Sequence, residues 1–161
     1  MLLSGSEVMG LKLRIEIDPD LPEEVVIRAP AVSDEVRRLR DAVEQSLRGG
    51  GEIAVRKRDG ECFLPYEEVL FFETANDRVW AHTAQECYAC SLHLNELSDL
   101  LPRTFARAAK GCLINTAHIR SISRSPTGVG EATFRSSVKT VYISRMYYKT
   151  VRDTIEETRL H

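Results

Sequence analysis

Val69-Leu-Phe-Phe-Glu-Thr-Ala-Asn-Asp-Arg-Val-Trp-Ala-His-Thr83 consists of two short runs of β-forming residues, Val69 to Glu73 and Val79 to Thr83, joined through Ala75-Asn-Asp77. Aromatic and β-branched side chains fill both arms. Asn and Asp tolerate the backbone that a tight turn demands, so the stretch reads as an antiparallel hairpin. The same grammar extends in both directions. Upstream, Glu52 to Arg58 runs into an Asp59-Gly60 turn and returns through Cys62-Phe-Leu64. Downstream, strands are expected at Cys87 to Leu92, Cys112 to Ile114, His118 to Ser123, Glu131 to Phe134 and Lys139 to Ile143, with Pro126-Thr-Gly-Val-Gly130 as a hairpin tip. Strands this short and this closely spaced predict a mainly β, antiparallel protein with short helices, rather than a parallel nucleotide-binding sheet.

Three segments carry a helical period. Leu94, Leu97, Leu100 and Leu101 give an apolar face to a helix over Asn95 to Leu101, stopped by Pro102. A last helix is expected from Ser144, with Tyr148, Val151 and Ile155 on its inner face. Nearer the N-terminus, Leu11, Leu13, Ile15 and Ile17 alternate with charged residues as in a half-buried strand, and Val25 to Arg28 reads as a second strand. Ser33 then caps a helix whose Val36, Leu39, Val43 and Leu47 form one stripe, and which Gly49-Gly50-Gly51 ends. Residues 1–50 are therefore expected to be a strand-strand-helix appendage with a glycine hinge. Such a unit is too small to hold a core alone, which points to dimerisation; residues 51–161 would form the main domain.

With 161 residues, 43% apolar and 29% charged, the chain has material for a real core, and large multidomain enzymes are excluded. The net charge of -2 conceals an uneven distribution. Residues 1–100 hold 20 acidic against 11 basic side chains, whereas from Arg103 to Arg152 ten basic residues meet one acid, Glu131. A polyanion would be drawn to one part and repelled by the other. No apolar run is long enough to span a membrane, and Met1 to Leu3 is too short for a signal peptide, so a cytoplasmic protein without membrane insertion is expected. Cys87 and Cys90 form a C-x-x-C, but positions i and i+3 of a strand face opposite ways; ordinary packing cysteines are expected, with no metal and no cofactor. Glu67 and Glu68 are adjacent and point apart, the histidines lack a ligand or triad spacing, and the Gly-rich turns lack a phosphate-binding context. No catalytic residue stands out, and no enzyme is expected.

Read by position, the basic half is more informative. Arg107 and Lys110 lie three residues apart, on a segment compatible with a short helical turn, ahead of the apolar Cys112-Leu-Ile114. Arg145 follows the expected cap Ser144 at a helix start, where a guanidinium can reach a phosphate or a base edge.

Four segments in this order, Val69-Leu-Phe-Phe-Glu-Thr74, Phe105-Ala-Arg-Ala-Ala-Lys-Gly-Cys-Leu-Ile-Asn115, His118-Ile119 and Ile143-Ser-Arg-Met-Tyr147, resemble the successive signatures of the LytTR DNA-binding domain family of bacterial transcription regulators. The resemblance covers about residues 52–156. It implies stacked antiparallel sheets with small helices, no cofactor, and promoter DNA bound by loops set into successive major grooves. Carried over by position, DNA contact falls on Asn76 or Arg78 in the loop Thr74 to Arg78, on Lys110 with Arg107 behind it, and on Arg145; Asn115 takes a structural role, and Phe72, Phe105, Leu113, Ile114 and Ile119 the core. Two features depart from the family pattern. Where the family usually has His or another polar residue before the basic position and Ser after it, this chain has Ala109 and Gly111, leaving Lys110 a flexible point charge. Residues 1–50 are too few for a receiver domain, which resembles the short stand-alone members. The implied function is sequence-specific duplex DNA binding by a homodimeric regulator; the alternative is a LytTR-like module acting on a regulatory protein partner such as a membrane sensor or another regulator.

Overall fold

The computed structural model describes residues 2–8, 11–47 and 51–159, which fall into two compact units, residues 1–40 and 41–161. In the first, strands β1 (Leu2–Val8) and β2 (Leu11–Glu16) pair antiparallel. The alternation at Leu11 to Ile17 is thus a strand, whereas Val25 to Arg28, expected as a second strand, has no regular structure. Pro22 and Pro30 bracket that segment and withhold amide donors, which leaves it poorly equipped for a ladder. Helix α1 (Asp34–Leu47) begins as expected, with the Val36 amide donating to Ser33 Oγ at 3.2 Å. The expected helix stop and hinge at Gly49 to Gly51 lies largely outside the described residues. Of the apolar stripe, Leu39 and Leu47 are exposed.

Among its described residues the second unit holds ten strands: β3 (Glu52–Lys57), β4 (Gly60–Pro65), β5 (Phe71–Ala75), β6 (Arg78–His82), β7 (Cys87–Cys90), β8 (Phe105–Ala109), β9 (Cys112–Asn115), β10 (Ile119–Arg124), β11 (Gly130–Phe134) and β12 (Thr140–Ile143). They form an antiparallel seven-stranded sheet in the order β4-β3-β7-β6-β5-β9-β8 and a three-stranded meander β10-β11-β12. Helices α2 (Leu94–Leu100) and α3 (Tyr148–Arg159) complete it.

Strand alternation feeds two cores from one sheet. Phe72, Leu113, Val55, Ile53 and Val79 join Leu94 and Leu97 of α2 on one face. Their chain neighbours Phe71 and Ile114, with Ala106 and Ala108, join Phe134, Ile143 and Ile119 of the meander and Val151 and Ile155 of α3 on the other. The expected core residues Phe72, Leu113, Ile114 and Ile119 are all buried, and Phe105 packs half-buried against Phe72. Each fully buried side chain of this size stabilises the fold by roughly 1.5 to 3 kcal/mol.

Leu100, placed on the inner face of its helix by periodicity, is instead exposed. A seven-residue helix presents only two positions, Leu94 and Leu97, to the sheet. Asn115 is buried: Nδ2 donates to Val69 O at 2.9 Å and Oδ1 accepts from the Ala117 amide at 3.2 Å, tying the 3-10 turn Thr116–His118 to the chain entering β5.

Candidate nucleic-acid interface

The β5–β6 hairpin turns at Asn76-Asp77, both with positive φ (51° and 59°), the conformation of the tight two-residue turns that match strand twist. It lifts the exposed Asn76 to the tip and starts β6 with the exposed Arg78 opposite Ala75.

The segment holding Arg107 is not a helical turn but edge strand β8, which returns through Lys110-Gly111 into β9. A register shift between Arg107 and Ala109 disrupts the ladder there. The pairing with β9 and the burial of Ala106 and Ala108 on one side override the local Ala-rich helical propensity. Arg107 emerges on the other side, where its guanidinium donates to Lys110 O at 2.9 Å and to Asn95 Oδ1 at 3.2 Å. Arg107 is thus the brace of the turn, and Lys110 is its exposed cation. Nothing in the local spacing of Asn95, on the first turn of α2, marked it as that brace's partner, since the two residues meet only in the folded chain.

The regular part of α3 starts at Tyr148, one turn later than the sequence pattern places it. Ser144 does not cap this helix through its hydroxyl; its carbonyl accepts from the amides of Tyr147 and Tyr148, both at 3.1 Å. Arg145 lies exposed in the intervening turn.

Two backbone hydrogen bonds join these three segments. The Thr74 amide donates to Gly111 O at 2.8 Å, fastening the β5–β6 hairpin to the Lys110 turn. The Ser144 amide donates to Ala108 O at 2.8 Å, fastening the Arg145 turn to the outer edge of β8. Register agrees: Glu73 faces Cys112, so the Asn76-Asp77 and Lys110-Gly111 turns project from the same end of the large sheet. Arg78, Lys110 and Arg145, 67 residues apart in sequence from first to last, therefore lie along one rim. None of the three has its charged group in a hydrogen bond or ion pair with the described residues, which leaves three cations available to an anion.

Other candidate chemistry lies elsewhere. Cys87 is exposed and Cys90 buried, on opposite faces of β7. Burial pushes the Cys112 thiol up to about 12, so it is a packing group rather than a nucleophile at neutral pH. Among the described residues no group of three or more His, Cys, Asp or Glu side chains could hold a metal ion. No described helix is long and apolar enough to cross a membrane.

The chain is similar over 146 residues, at 25% identity, to an uncharacterized HTH-type transcriptional regulator of Staphylococcus aureus strain NCTC 8325, with 90% of this chain and 98% of the relative covered. The corresponding regulator of the bovine strain RF122 is 26% identical over 147 residues, with the same coverage. Among solved structures, a LytTr DNA-binding domain from Bacillus cereus has the same fold, with a TM-score of 0.61 at 19% identity, covering 66% of this chain and 98% of that domain. The LytTr DNA-binding domain family itself matches residues 59–156, more than half of the sequence and all three basic segments of the rim, and the chain belongs to that family.

Proposed function

We propose that this protein is a bacterial transcription regulator that recognises a specific duplex sequence with the rim formed by Arg78, Lys110 and Arg145. The observation that carries this reading is the pair of backbone bonds, Thr74 to Gly111 and Ser144 to Ala108, which hold three cationic turns in one row. Binding rather than turnover is the mechanism. Lys110, between Ala109 and Gly111, has no polar neighbour in sequence to aim its ammonium and neutralises a phosphate; Arg145 presents a planar fork suited to the N7 and O6 of guanine. Asn76 and Arg78 enter the adjoining groove from the tip of their hairpin. Arg107 acts one step back by fixing the Lys110 turn.

A rim with so few cations supplies modest affinity, so two copies on a repeated site are the working form, joined through residues 1–50, with residues 51–161 as the DNA-binding part. The family of the match and the regulators among the relatives support the reading. Selection of bound duplexes from a random library tests it: a recurring pair of half-sites is expected. Enrichment of no sequence, together with affinity too weak to measure at low salt, would overturn it in favour of a protein partner.

A further inference from the structure

Arg145 does not stand alone on the rim. The β10–β11 hairpin folds over at Ser125 to Val129, its tip closed by bonds from the Gly128 amide to Ser125 O and from the Ser125 amide to Val129 O, both at 2.9 Å. Gly128 has φ +91°, a conformation that side-chain-bearing residues rarely adopt. A Cβ built there would lie 2.8 Å from Arg145 Cδ and 2.9 Å from Arg145 Cγ, inside van der Waals contact. The aliphatic stem of Arg145 therefore lies directly against the bare glycine.

The hairpin is itself fixed from behind. Arg124 stacks its guanidinium carbon 5.0 Å from the centre of the Tyr148 ring and directs Nε toward Gly128 O at 3.4 Å. The ring of Tyr148 in turn occupies the space over Gly130, where a Cβ would lie 2.5 Å from its Cδ2. Two glycines of one hairpin are thus each covered by a side chain from the segment that opens α3. Arg124 is engaged by ring and carbonyl, whereas the guanidinium of Arg145 is held by no described group.

We infer that the hairpin tip at Gly128, clamped by Arg124 on Tyr148, is the platform that sets the direction of Arg145, making Gly128 a positioning residue for sequence preference rather than a contact to DNA. This rests on the proposal that Arg145 reads base edges. The glycine is needed twice over, for its backbone angle and for the space it leaves. A side chain there displaces the Arg145 stem and swings its fork away from the aim the tip gives it. An arginine freed in this way still carries its charge to the backbone of the duplex. Preference is then lost while attraction to phosphate persists.

The test compares the full-length parent with Gly128→Ala, Gly128→Asn, Arg145→Ala and the Gly128→Ala/Arg145→Ala double variant, on a selected duplex and a scrambled one over a range of salt. Thermal unfolding of each variant checks the fold. Asn tolerates positive φ better than Ala, so Gly128→Asn places the Cβ with less backbone strain and carries the comparison should Gly128→Ala fail to fold. Arg145→Ala is expected to lose roughly 5- to 140-fold of preference, the range of one good base contact. The Gly128 variants are expected to lose preference to a similar extent with the salt slope unchanged, and the double variant no more than Arg145→Ala. Retained preference in folded Gly128 variants, or an equal loss on both duplexes, overturns the positioning role while leaving Arg145 as a reader. Retained preference in Arg145→Ala overturns the reading beneath it, and the positioning role with it.

Discussion

At the scale of single residues, the same formal charge does three different jobs. Arg107 is spent on the Lys110 carbonyl and Asn95, Lys110 is exposed on a turn, and Arg145 rests its stem on a glycine. Lys110→Ala is therefore expected to weaken selected and scrambled duplexes alike and to lower the magnitude of the log-log salt slope by about 1. Arg145→Ala is expected to cost roughly 1 to 3 kcal/mol on the selected duplex and much less on the scrambled one, which titrations on both would show. Asn115→Ala should act on stability rather than on DNA. It leaves a buried carbonyl of Val69 and the half-buried Ala117 amide without partners, so urea unfolding should report a loss of about 2 to 4 kcal/mol. His82 stacks on Phe71 with ring centres 4.2 Å apart, and its Nε2 lies 2.9 Å from Glu73 Oε1. Burial pushes its pKa below the ordinary 6.5, against the opposing pull of Glu73, while Lys139 pushes the same way as burial. The unfolded chain then takes up the proton first, so the stability contributed by neutral His82 is complete above pH 6.5 and declines as pH falls below it. In His82→Phe, which keeps the stack, that decline in the unfolding free energy is expected to flatten; an unchanged pH profile would remove His82 from the account.

At the scale of elements, local propensity and tertiary pairing disagree most at the two ends of the Arg107 segment. Ala-rich Phe105 to Lys110 favours a helical turn by composition, yet β9 supplies a ladder and the core takes Ala106 and Ala108, so it is a strand. The same element then accepts the Ser144 amide on its outer edge, which protects the edge and brings Arg145 to the rim. Helix α1 poses the opposite case, an element that sequence predicts well and whose stripe has exposed members, Leu39 and Leu47. Self-association through this stripe is the proposal it supports. Leu39→Glu and Leu47→Glu together are expected to convert a dimer to a monomer in light scattering without lowering the unfolding temperature, because neither side chain is buried in the chain itself. A dimer that persists would assign self-association to the β domain.

For the whole molecule, charge segregation sets the orientation of the encounter with DNA. Ten basic residues against one acid between Arg103 and Arg152 should face a polyanion. Affinity for duplex DNA is expected to fall with salt at a log-log slope between about -3 and -7. A flat dependence would exclude a phosphate-dominated interface. Much of this architecture was legible in the chain: the hairpins through Ala75-Asn-Asp77 and Asp59-Gly60 and the Ser33 cap are local statements, encoded within a few residues of where they act. Val25 to Arg28, apolar enough to read as a strand, has no regular structure, and β2 pairs instead with Leu2 to Val8; only pairing decides which apolar run becomes a strand. The basic character of Arg78, Lys110 and Arg145 and their family signatures are likewise properties of sequence. That they share a rim, that Asn95 holds Arg107, and that Gly128 lies beneath Arg145 are not. Those relations depend on hydrogen bonds and close packing between segments 12 or more residues apart, whose partners are chosen by sheet register and core burial, and no local pattern records that choice.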